Sequence, residues 1–191
     1  TNQIVNFDTI SQTATTLSAV LPSARSSTSA AAVGTDCYVF GGLANSGAIA
    51  EIVKFDTVSQ TATTLSAVLP SARYYTSAAA VGTDCYVFGG YTESIPRIER
   101  IVKFDTVSQT VTNLTVKLPF ANGVQAASAA AVGTDCYVFG GTNDGGRFNI
   151  IVKFDTVSQT ATTLSAVLPS ARSYTSAAAV GTDCYVFGGS T

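Results

Sequence analysis

The sequence predicts an all-β protein, a four-bladed β-propeller of four-stranded antiparallel blades, from three observations. The nonapeptide GTDCYVFGG occurs four times, starting at Gly34, Gly82, Gly133 and Gly181. The segments around it repeat too, giving four units of about 48 residues, a period that fits propeller blades. Each patterned run inside a unit reads as a strand. Residues 1–191 are therefore expected to form one propeller domain of four repeats.

Within a unit, IVKFD is an apolar run carrying one lysine (Lys54, Lys103 or Lys153) whose charged head can stay solvated at a strand rim. The polar turn TVSQ follows, and then TATTL, rich in β-branched threonine. After Leu-Pro comes SAAAVG; three alanines are too few to nucleate a helix, and the next Gly-Thr-Asp suits a hairpin turn. CYVF is the last strand, ended by Gly-Gly. The alanines at 30–32, 78–80, 129–131 and 177–179 fit the innermost strands, where blades converge and only small side chains have room.

The chain begins with the two outer strands of a unit (residues 4–21) and finishes with two inner ones (174–188). A closed monomer therefore needs the N- and C-terminal strands to pair in one composite blade. Two alternatives stand beside this: two chains sharing one eight-bladed ring, each completing the other's split blade, or a piece of a longer array. The start at Thr1 and the absence of Met fit a processed, trimmed or engineered piece, and near-identical repeats fit a symmetric structural or self-assembling scaffold.

These residues resemble the kelch-repeat propellers along the whole chain. The double glycine closing an aromatic-aliphatic strand carries the likeness: Gly41-Gly42, Gly89-Gly90, Gly140-Gly141 and Gly188-Gly189. Kelch repeats typically continue with Tyr-Asp and, seven residues after the Tyr, a Trp. Here Phe7, Phe55, Phe104 and Phe154 precede the aspartates, and Ala14, Ala62, Val111 and Ala161 stand where Trp is expected. The Pro and Arg of LPSAR also look like those preceding the inner kelch strand. The resemblance implies a non-catalytic scaffold for a protein or peptide partner. It also implies larger rings, commonly of six or seven blades.

Composition narrows the function classes. Charged residues make up only 12% and the net charge is −2, which gives no reason to expect nucleic acid or a membrane surface as partner. Without histidine there is no near-neutral base or imidazole ligand, and no cofactor or metal is expected. The Gly-Gly pairs lack the surroundings of a phosphate loop. Asp8, Asp56, Asp105 and Asp155 read as turn caps, and so do Asp36, Asp84, Asp135 and Asp183. The chain is accordingly read as no enzyme. The four cysteines, one per repeat, read as buried free thiols, which favours a reducing, cytoplasmic setting.

Differences between repeats concentrate in two connections, after Gly-Gly and after Leu-Pro, which a kelch-like blade places on one face of the ring. Loops on a rigid frame are the usual seat of recognition. From the Leu-Pro connections come Arg25, Arg73 and Arg172, Asn122 breaking that series, and the aromatics Tyr74, Tyr75, Tyr174 and Phe120. The Gly-Gly connections contribute Arg97, Arg100, Arg147 and Phe148. Arginine with tyrosine is common anchor chemistry for a protein or peptide, and aromatic loops also suit a carbohydrate or small ligand. The repeated arginines have an equally simple structural reading, as donors to carbonyls between blades.

Overall fold

The structure, a computed structural model, describes residues 1–93 and 98–191. An N-terminal hairpin, β1 (Gln3–Asp8) and β2 (Thr13–Val20), leads into the first full blade: β3 (Ser29–Val33), β4 (Asp36–Phe40), β7 (Glu51–Asp56) and β8 (Thr61–Val68). Between β4 and β7 lies the short hairpin β5 (Leu43–Ala44) and β6 (Gly47–Ala48). The second blade is β9 (Ser77–Val81), β10 (Asp84–Phe88), β11 (Arg100–Asp105) and β12 (Thr110–Lys117). The third is β13 (Ser128–Val132), β14 (Asp135–Phe139), β17 (Ile150–Asp155) and β18 (Thr160–Val167), with the hairpin β15 (Thr142–Asn143) and β16 (Gly146–Arg147). The last pair is β19 (Ser176–Val180) and β20 (Asp183–Phe187).

Each full blade is an antiparallel meander in chain order, and the register repeats from blade to blade: Cys85 lies opposite Phe104, as Cys37 does opposite Phe55 and Cys136 opposite Phe154. Gly34, at φ 58°, opens the turn between β3 and β4, a conformation glycine adopts without strain. The alanine strands are innermost as expected: β3 packs on β9, β9 on β13 and β13 on β19.

Blades are joined by an aromatic step. Tyr38 and Phe40 of one blade lie on Phe104 of the next, with centroids 5.4 and 6.1 Å apart, and Tyr86 and Phe88 lie on Phe154 at the same spacings. Edge-to-face and tilted ring pairs at such separations are favourable beyond the apolar area they bury. Phe104 and Phe154 face Val111 and Ala161 across their own sheets. A small residue therefore stands opposite each of these phenylalanines, which take their ring contacts from the neighbouring blade.

The expected closure is not made. β1–β2 and β19–β20 stand as separate two-stranded sheets, so the described residues form three complete blades and two half-blades, not four complete ones. The inner strands pack in the order β3, β9, β13 and β19, and β19 does not come back onto β3 as β3 packs on β9. The open ends leave apolar faces uncovered. Tyr185 and Phe187 are 49% and 59% exposed, whereas Tyr86 and Phe88 are 4% and 1%.

All four cysteines are free. Cys85 and Cys136 are buried, while Cys37 and Cys184, next to the open ends, are half-buried. Asp8, Asp56, Asp105 and Asp155 cap their turns: each Oδ1 accepts backbone N–H bonds from the residues two and three positions on, at 2.8 to 3.1 Å. The second aspartate series differs from expectation. Asp36, Asp84 and Asp135 open strands and take Lys54, Lys103 and Lys153 at 2.8, 2.6 and 2.7 Å. The lysine stands diagonally across the ladder from the aspartate, within reach of a long side chain. Asn6 occupies the lysine position in β1.

Candidate partner-binding face

The two variable connections are woven together by backbone bonds at one end of the blades. Ser26 and Leu43 exchange N–H···O bonds of 3.0 and 2.8 Å, as do Tyr74 and Tyr91 at 3.1 and 2.8 Å. Gln125 with Thr142 and Ser173 with Ser190 repeat the exchange.

Beside this weave runs a second ladder, from repeat to repeat. Tyr75 N–H donates to the Ser27 carbonyl, Ala126 to Tyr75 and Tyr174 to Ala126, at 3.0, 2.9 and 2.8 Å. All four residues have positive φ, between 54° and 58°. This conformation is unusual for residues other than glycine and is strained for bulky ones. The backbone is constant while the side chain changes from Ser to Tyr to Ala to Tyr.

Two of these positions therefore carry large rings onto the loop face. The Tyr75 and Tyr174 rings stand perpendicular with centroids 5.3 Å apart, Tyr74 lies 4.9 Å from Tyr75, and Tyr91 lies 5.2 Å from Tyr74. Tyr174 remains 54% exposed. Partial burial, and then the Tyr75 hydroxyl beside it, push the Tyr174 phenol above its ordinary range. Arg147 borders the cluster, its guanidinium donating to Ser173 Oγ at 3.3 Å and Ser190 Oγ at 2.9 Å.

The remaining sequence candidates fall in several places. Arg25 is buried and donates to the Gly41 carbonyl, Ser23 Oγ and Glu51 Oε2, an inward strut between connections. Arg172 repeats this on the Gly188 carbonyl and Ser170 Oγ. Arg73 is also buried, and Arg100 is exposed beside it. Phe120 is buried against the half-buried Phe148, with centroids 5.1 Å apart, and Asn122 is an exposed turn residue at φ 64°. Arg97 lies outside the described residues. Tyr91 is not among the sequence candidates; its signal is the large aromatic residue standing where Leu43 and Thr142 stand in other repeats.

No group of three or more potential metal ligands occurs among the described residues. A nearly constant frame of antiparallel blades with side-chain variation concentrated in the connections at one end is the organisation of a repeat-built binding scaffold. Residues 61–191 match the KLHDC2/KLHL20/DRC7 Kelch-repeats domain, and the chain belongs to this family. A search of curated proteins finds no match. Kelch-repeat domains serve in general as protein-interaction scaffolds, and the fold seen here is consistent with that role.

Proposed function

We propose that the chain binds a protein or peptide partner through the loop face, at the cluster formed by Tyr74, Tyr75, Tyr91 and Tyr174 with Arg147 at its border. The observation carrying this reading is the repeat-to-repeat ladder. Its backbone is the same at Ser27, Tyr75, Ala126 and Tyr174, so the fold does not require tyrosine at two of the four positions. Half-exposed rings offer apolar area and a hydroxyl at small entropic cost, the chemistry of interface anchors. No acid–base pair or nucleophile is placed among them, so the reading is recognition without catalysis. Panning a random peptide library on the immobilised chain tests it. Selected peptides should lose retention on a variant carrying Tyr75→Ser and Tyr174→Ala, the side chains that the other repeats place at this position. Equal retention on the variant would refute the site.

A second reading, assembly, rests on the split blade. Tyr185 and Phe187 have no following blade, while beside β1–β2 a cleft of about 410 Å³ opens over Ala30, Cys37, Val39 and Phe55. Phe55 is the counterpart of Phe104 and Phe154, which receive a Tyr and a Phe from the preceding blade. β20 of a second copy, pairing with β1, would bring Tyr185 and Phe187 to Phe55 and join two chains into one ring of eight blades. Each aromatic so covered contributes roughly 1.5–3 kcal/mol. Light scattering separates a mass of 19.6 kDa, which would refute the shared ring, from twice that mass, which would support it.

A further inference from the structure

Arg73 occupies the position in its repeat that Arg25 occupies one repeat earlier, but its surroundings differ. Arg25 Nη2 bonds to Ser23 Oγ at 2.8 Å and to Glu51 Oε2 at 2.5 Å, two acceptors for its two N–H groups. Arg73 Nη2 bonds to Ser71 Oγ at 2.8 Å, its Nε to the Ser71 carbonyl and its Nη1 to the Gly89 carbonyl. Among the described residues no carboxylate forms an ion pair with it. Arg100 opens β11 where Glu51 opens β7, so a second cation stands in the place of the anion. Arg73 is only 1% exposed. Its pKa is driven down to about 10, by burial first and by the charge of Arg100 second.

These groups line an open cleft of about 600 Å³. Its polar wall is assembled from residues that break the repeat. Arg100 stands where other units have Glu51 or Ile150, Lys117 where they have Val68 or Val167, and Asn113 where they have Thr64 or Thr163, while Asn122 lies in a longer connection in which Val124 takes the backbone place of the arginine. One carboxylate, Glu99, also lines the cleft, and it is engaged by Lys117 at 2.9 Å. With Arg73, Arg100 and Lys117 against Glu99, positive charge is in excess. In a chain whose strands repeat almost verbatim, four departures meeting at one cleft mark a built feature.

We propose that this cleft is an anion-binding site that takes a carboxylate of an acidic peptide, seated on the Arg73 guanidinium where the Glu51 carboxylate sits on Arg25. The preceding repeat supplies the template: the equivalent arginine, Arg25, donating to the equivalent serine, Ser23, already donates to a carboxylate oxygen of Glu51. Arg100 and Lys117 add attraction from the rim, which salt weakens. The site is independent of the tyrosine cluster and is probed by different residues.

A fluorescein-labelled hexaglutamate peptide, with hexaglutamine as neutral control, provides the test by anisotropy. The unmodified chain should bind hexaglutamate and not hexaglutamine. Arg100→Glu rebuilds the internal pair of the first full blade; it should weaken hexaglutamate binding at least about tenfold without lowering Tm. Val107→Glu combined with Val157→Glu, both in exposed turns at the opposite end of the blades, matches the two-unit charge change and should bind as the unmodified chain does. Hexaglutamate binding unchanged by Arg100→Glu would overturn the proposal. So would competition by inorganic phosphate at the same concentration as glutamate-bearing peptide, which would mean an adventitious ion only.

Discussion

Tyr75 and Tyr174 meet ring to ring across the loop face, perpendicular and 5.3 Å apart, each on a backbone of positive φ. The rings sit there because consecutive repeats hydrogen-bond through this position, not because the position selects an aromatic. Tyr75→Ser should therefore leave stability within about 1 kcal/mol, since Ser27 holds the same conformation. Tyr75→Val puts a β-branched side chain at φ 55° and should cost about 1–3 kcal/mol. Chemical denaturation of the two variants checks this; equal losses would mean that the rings, not the backbone, hold the ladder.

The glycine pairs predict a contrast between the middle of the array and its end. At Gly89, φ 59°, an added Cβ would run into the Val124 carbonyl, whereas at Gly188, φ 61°, it meets nothing within 4 Å. Gly89→Ala should cost about 3 kcal/mol or more, from strain plus a backbone clash. Gly188→Ala should cost only the strain, about 1 kcal/mol. Similar unfolding free energies for the two variants would contradict the open end.

Acid stability should depend on the four turn aspartates. Backbone N–H bonds from Ser108 and Val107 hold the Asp105 carboxyl below its ordinary value of 3.8, and Asp8, Asp56 and Asp155 are lowered in the same way. With the folded pKa depressed, the stabilisation is complete above the unfolded value and is lost as pH falls through the folded one. Replacing all four by Asn keeps the acceptor oxygen and removes the proton uptake. Tm should then fall less steeply below about pH 4 than in the unmodified chain. A slope as steep as before would remove these aspartates from the account.

The thiols report on the split blade. Burial raises the Cys85 and Cys136 thiols to about 12, so a thiol reagent at pH 8 should leave both untouched in the folded chain. Cys37 and Cys184 border the open faces and should label when the chain is dilute. At concentrations where a second copy completes the blade, both should become protected. Labelling of all four thiols before unfolding would contradict the packing, and labelling of Cys37 and Cys184 at every concentration would contradict the shared ring.

The strands, their antiparallel order and the inner alanines were legible because each blade states the same pattern in full and local propensity agrees with packing. The lysine and second aspartate series were equally visible, one pair in each complete blade. Their partnership depends on register across a ladder, which a reading along the chain does not supply. Closure was not legible, because it depends on whether β1 and β20 pair across the ring. Residues far apart in sequence settle that pairing. For the same reason Tyr75 and Tyr174 were recognisable as candidates, but their meeting was not, and Arg73 looked like Arg25 until Arg100 was placed beside it.

The proposed recognition site is the tyrosine cluster, carried by a backbone that does not require those rings. Its most direct test is the dissociation constant of a captured protein or peptide for the unmodified chain and for the Tyr75→Ser, Tyr174→Ala variant, measured by calorimetry alongside a thermal melt. Binding should weaken at least about tenfold, with Tm shifted by no more than a few degrees. An unchanged dissociation constant in a folded variant would contradict it.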